Sequence, residues 1–169
     1  KENGERLIEL ASIALDNKAY TIAAQCYEYV IQKGTMNYNY VNAKTLLLHV
    51  NYLQVTQQNN YTITSLTTLE QQYLSTLSEL GKTIETVAIM RELAFIQAFY
   101  LHKPDTAIVW LNHAIALAHI NILKMECKVD LADVLLYKGD IWEASLVYSQ
   151  VEKAFPHDVI GHTAKFKNA

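Results

Sequence analysis

Glycine and proline are scarce, at 5 and 2 of 169 residues. A sandwich or barrel of many short strands needs such turn-makers between its strands, so that class is excluded and a mostly helical chain remains. Cysteine is equally sparse. Cys26 and Cys127 stand 101 positions apart in apolar stretches, where a thiol behaves as a small hydrophobe. Both are therefore expected as buried free thiols, and neither reports a compartment. No lysine or arginine cluster occurs, and the formal charge is −3 with a pI near 6.1. The electrostatic footprint of a nucleic-acid binder is missing, so no nucleic-acid partner is expected. Apolar runs such as Leu46 to Leu48 and Ala114 to Ala118 fall far short of the roughly 18 residues a membrane span needs. The opening residues do not read as a signal peptide, which says little for a sequence that starts at Lys1 and not at a methionine. What the chain does have is 51% hydrophobic and 18% charged residues, which suits a folded protein, and at this length it buries roughly 70% of its unfolded surface without metal or disulfide.

Motifs for catalysis are also absent. No G-x-S-x-G elbow, glycine-rich phosphate loop or H-E-x-x-H occurs, and five scattered glycines cannot build the first two. The histidines His49, His102, His113, His119, His157 and His162 include no i,i+4 pair that could grip a metal from one helical face, and are expected at helix surfaces and ends. Asp158 with His162 reads as a helix-start pair, and Asp130 with Asp133 is a weak acid/base signal. A non-enzymatic chain with no cofactor and no metal is the expectation. Asn60-Tyr61-Thr62 matches a glycosylation sequon, which has meaning only in a secretory context.

Internal repetition is the informative feature. Tyr137-Lys138-Gly139-Asp140-Ile141-Trp142-Glu143-Ala144 reads as helix, tight turn, helix. Gly139 ends the first helix, Asp140 is placed to cap the second, and Glu143 is expected to complete a capping box. Ala144 lets two helices approach closely, with Tyr148 one turn further on the same face. Upstream, Leu131, Ala132 and Leu135 supply the partner stripe, and Val151 and Pro156 follow. The pattern recurs as Leu7, Leu10, Ala11 and Ala14, then Tyr20, Ala23, Tyr27 and Val30, with Gly34 closing the second helix. It is weaker in Ala107, Ile108, Leu111, Ala114 and Ile115 after Pro104, and in Ser65, Leu66, Leu69 and Tyr73 before Gly81. The small anchors Ala23, Ser65, Ala107 and Ala144 lie 42, 42 and 37 residues apart.

These residues resemble the tetratricopeptide repeat (TPR) at its leucine, small, aromatic, alanine and proline positions, with Lys128 in place of the usual tryptophan and Val151 in place of the second alanine. The resemblance implies an all-α chain, an α-α superhelix or TPR-like solenoid of about four helix pairs plus one extra helix. It is expected as a single domain over 1–169, with pairs at 5–34, 39–81, 83–119 and 122–156 and the start of a further repeat at 158–169. Helices are expected at 5–16, 19–33, 39–57, 63–80, 83–101, 104–119, 122–138 and 141–154, with a last one from near 158. The intervals exceed the roughly 34 residues of a standard repeat, so the middle helices are long.

In the resembled family, first helices line a concave surface. Carried onto this sequence, the groove positions are Glu126, Val129, Asp133, Leu136 and Tyr137 in the best-matching repeat, and Glu5, Ile8, Ser12, Leu15 and Asp16 in the first. Aromatic and carboxylate groups there could hold a peptide by apolar contact and charge-assisted hydrogen bonds, or simply pack and be solvated. The lysine, asparagine and arginine set of chaperone-tail-binding members is lacking. The implied function is a scaffold, similar to bacterial TPR proteins, that binds a peptide or partner protein. An alternative is the sensor part of a bacterial transcription regulator or signalling ATPase, and a third class is an enzyme or small-molecule carrier, which a deep enclosed cavity would favour. The last stretch, with Val159, Ile160, Ala164, Phe166 and Ala169, looks like a first helix without its second. A repeat array needs a polar terminal cap, so this chain is expected to be a fragment of a longer protein or to self-associate through this uncapped helix.

Overall fold

A computed structural model describes residues 4–57 and 61–169; Asn60 of the sequon lies outside them. Among the described residues every element is helical. The chain runs α1 (Glu5–Asp16), α2 (Tyr20–Gln32), α3 (Tyr40–Thr56), α4 (Ile63–Leu80), α5 (Val87–Phe95), α6 (Pro104–Leu117), α7 (Asn121–Lys138), α8 (Ile141–Ala154) and α9 (Val159–Asn168). It divides between Gly81 and Lys82 into two compact units, with α1 to α4 in the first and α5 to α9 in the second. No described helix is long and apolar enough to cross a membrane.

Small residues set the helix spacing in both units. In the first, Ala11 and Ala14 of α1 pack with Ala23, Cys26, Tyr27 and Val30 of α2 and with Ala43 and Val50 of α3. In the second, Ala132 of α7 and Ala144, Tyr148 and Val151 of α8 share a core with Ala164 of α9, while Ala94 and Ala98 pack with Ala107 and Leu111 of α6. Ala23, Ala107 and Ala144 are each the fourth residue of their helix and are buried. A methyl at that crossing point allows the close approach that a larger side chain would prevent. Ser65, expected as the fourth anchor, is instead the third residue of α4, and the fourth is the buried Leu66.

Turn chemistry follows the expectation at Gly139 but not at the residue after it. Gly139 takes φ 97°, and the Gly139 and Asp140 amides donate to the Leu136 and Leu135 carbonyls at 3.1 and 2.9 Å, which closes α7. Asp140 then occupies the N-cap of α8 without a side-chain cap bond. Its carboxylate lies 3.0 Å from Lys138 Nζ, so the expected box with Glu143 does not form. A capping box forms at α4 instead. There the Ser65 amide donates to Thr62 Oγ1 at 3.1 Å and the Thr62 amide to Ser65 Oγ at 3.0 Å. Gly161 lies inside α9, where a Cβ would stand 1.8 Å from the Phe155 carbonyl oxygen. Close packing of α9 on the preceding turn therefore requires a residue without a side chain.

The stretch expected as one helix over 83–101 is three segments. A 3-10 turn at Ile84–Thr86 leads into α5, and a π turn at Ile96–Tyr100 follows it. The π turn ends where the Leu101 amide donates to the Ile96 carbonyl at 3.0 Å, and His102 then reverses the chain with φ 54°. Both cysteines are free and buried, as expected. Burial pushes the Cys127 thiol up to about 11, far from the range of a reactive thiolate.

Candidate functional site

Three helices of the second unit, α5, α7 and α9, are tied side by side by charged groups. Arg91 on α5 donates from Nε to Asp130 at 2.5 Å and from Nη1 to Glu126 at 2.6 Å. Asp133, one turn further along α7, accepts from Tyr148 Oη on one oxygen and from Lys167 Nζ of α9 on the other. Burial raises the Asp130 carboxyl, against the opposing pull of the Arg91 guanidinium. Burial also raises the Tyr148 phenol, and its bond to Asp133 adds to that. Two cations and a phenol thus engage the three carboxylates of α7 and link the helices that carry them.

Of the positions carried over for this face, Val129 is 8% exposed and packs in the core around Tyr148. A side chain so buried offers no contact area to a partner. Glu126 and Asp133 are engaged as described. Leu136 and Tyr137 are exposed at 44% and 45%. In the first unit, Ile8 and Leu15 pack against the core of α1 to α3, while Glu5, Ser12 and Asp16 are exposed on α1.

Around Tyr137 the structure gathers rings that groove positions alone did not single out. Phe99 meets Tyr137 edge-on at 5.1 Å between centroids, Phe95 lies 4.9 Å from Phe99 and 6.0 Å from Tyr100, and His102 stacks on Tyr137 at 6.3 Å. The His102 Nδ1 atom also shares a hydrogen bond with the Tyr137 hydroxyl. The π turn explains the cluster. In an α-helix, residues five apart point well away from one another. A wider π turn brings Phe95 and Tyr100 to one side, and such turns recur at functional sites. With Phe95 45% exposed, the result is an aromatic shelf at the end of α5 and α7, open to solvent. The i,i+4 spacing of Phe95 and Phe99 was a readable signal for it.

No family model matches the chain, and no curated protein matches it in sequence. Solved structures do. A thermophilic TPR protein of Thermus thermophilus is similar over 98% of this chain and 79% of its own, at 17% identity and a TM-score of 0.76. The chain has the TPR fold. A TPR protein of Parabacteroides merdae matches over 98% of this chain and 58% of its own, at 15% identity and a TM-score of 0.68. Nearly identical TPR-like repeats from Podosopora anserina match over 99% and 85%, at 14% identity and a TM-score of 0.70. The aromatic shelf lies at the end of α5 and α7.

Proposed function

We propose that this chain is a protein-interaction module that takes a peptide or partner segment on the face of α5 and α7, anchored by the aromatic shelf. The observation that carries the reading is the contrast along α7. Its carboxylates are engaged by Arg91, Lys167 and Tyr148, whereas Leu136 and Tyr137 stand half-exposed, with Tyr137 against Phe99 and His102. Half-exposed, mutually packed aromatics offer large contact area at low entropic cost, which is the profile of an interface anchor. Asp133 and Glu126 act here as supports that position the helices. In the first unit, Ser12 and Asp16 on α1 are also exposed.

Capture from a lysate of the source cells tests this reading. The parent is expected to retain a partner that the Phe95→Ala, Tyr137→Ala double variant loses and that the Met36→Ser variant, altered at an exposed loop residue, keeps. Retention by the double variant with unchanged helicity rules out the shelf. A second contact is favoured by Phe166, 84% exposed on α9, and by the equally bare Val159, which together suit pairing with another copy. Sedimentation of the parent against Phe166→Ser decides this: concentration-dependent pairing lost in the variant supports it, and a monomer at all concentrations refutes it.

A further inference from the structure

The first unit carries a feature of different chemistry. An open cleft of about 580 Å³ lies between α3 and α4, lined by Asn51, Gln54, Thr68 and Gln72, with Glu28 of α2 at its wall. Its origin is in the packing. Where the other second helices place an alanine fourth, α4 places Leu66. The two helices are accordingly less closely packed than α7 and α8, and polar links hold them: Tyr40 and Lys44 to Glu79 near one end, and Asn51 Nδ2 to Gln72 Oε1 at 3.1 Å further along.

We propose that this cleft binds a short, uncharged, extended peptide segment through its backbone amides, at a site separate from the aromatic shelf and not dependent on it. A carboxamide presents the same donor and acceptor as a peptide group, so Asn51, Gln54 and Gln72 match a backbone without demanding a charge. The bond between Asn51 and Gln72 uses one donor of the first and one acceptor of the second, which leaves the Asn51 carbonyl and the Gln72 amide group for a ligand. Thr64 and Thr68 add hydroxyls, while those of Thr62 and Ser65 already serve the capping box. Val55 and the buried Leu69 contribute the apolar part of the lining. An apolar ligand would strip water from these amides without replacing its hydrogen bonds. A sugar ring would find no aromatic face among the lining residues to stack on. An acidic segment would meet Glu28, so the charge of the lining also selects against anions.

The probe is the blocked tetrapeptide acetyl-Gln-Asn-Gln-Asn-amide, titrated into the full 15N-labelled chain with the side-chain amide signals of Asn51, Gln54 and Gln72 as the readout. Those signals are expected to shift saturably. The Gln72→Met variant, similar in shape but lacking the amide, is expected to bind about tenfold more weakly. The Glu-for-Gln version of the peptide is expected to bind more weakly than the neutral one. Thr68→Val, which keeps the side-chain shape, gives a second loss should Gln72→Met unfold. The proposal is overturned if the neutral peptide leaves the three amides unmoved, if trehalose shifts them and the peptide does not, or if folded variants bind as the parent does. None of these outcomes bears on the shelf, whose residues lie in the other unit.

Discussion

Helix pairs α7/α8 and α3/α4 solve the same packing problem in opposite ways. In α7/α8, a two-residue turn and two alanines bring the helices together, and Tyr148 fills the core while its hydroxyl reaches Asp133. In α3/α4, Leu66 stands at the corresponding position, and polar side chains line an open cleft. A close pair gains dispersion and excludes water. A wider pair keeps polar groups wet and available to a ligand. The side chain at this crossing point is one difference between a helix pair that closes on itself and one that leaves a polar cleft.

The contrast can be broken most severely at Tyr148. Truncation to alanine removes a fully buried ring and leaves Asp133 without one partner, so Tyr148→Ala is expected to cost about 4 kcal/mol, read by chemical denaturation. Gln72→Met in the wider pair is expected to cost under about 1 kcal/mol by the same measurement, because it fills no cavity and empties none. Comparable losses at both positions would mean that α3/α4 is as tightly organised as α7/α8. Next in size is Ala144→Leu, which puts at α8 the side chain that α4 carries. Forcing it into a closed core is expected to cost about 2 kcal/mol, and a variant as stable as the parent would show that the fourth position does not set the spacing.

Smallest is a pH effect of opposite sign in the two units. Hydrogen bonds from Lys44 and Tyr40 hold the Glu79 carboxyl below its ordinary value. The stability it contributes is present above the ordinary glutamate range and is lost as pH falls through the depressed value. Burial holds Asp130 above its ordinary value, so its contribution is greatest in acid and is lost as pH rises through the raised value. Melting curves between about pH 6 and pH 3 are the check. The advantage of the parent over Glu79→Gln is expected to shrink on acidification, and its standing relative to Asp130→Asn to improve. Trends of the same sign would contradict the assignment.

The close pairs were the legible ones. Gly139, Ala144 and Tyr148 each have one structural use, so α8 appears at Ile141–Ala154, as its spacing predicts, and α6 starts at Pro104, where a proline is tolerated. Ser65 was less legible because serine serves both as a small packing residue and as a capping residue, and its hydroxyl went to the cap. Asp140 had the reverse ambiguity, since a carboxylate beside Lys138 can pair with the ammonium instead of the helix amides. The π turn at Ile96–Tyr100 was not legible, because 87–101 is apolar nearly all round and reads as one continuous helix; the i,i+4 spacing of Phe95 and Phe99 marks the rings and not the turn. Tyr137 and Leu136 were visible as surface positions. That Asp133 and Glu126 would be consumed by Lys167 and Arg91 depended on partners 34 and 35 residues away in sequence, which no local pattern reports.

Photo-crosslinking tests the central claim most directly, that the aromatic shelf is where this TPR-fold chain meets its partner. A photoreactive benzoylphenylalanine replaces Tyr137 in one sample and the exposed Met36 in another, and both are irradiated in lysate of the source cells. The shelf reading predicts a discrete protein adduct from position 137 that is absent from position 36. No adduct at 137, or the same adducts from both positions, would contradict it.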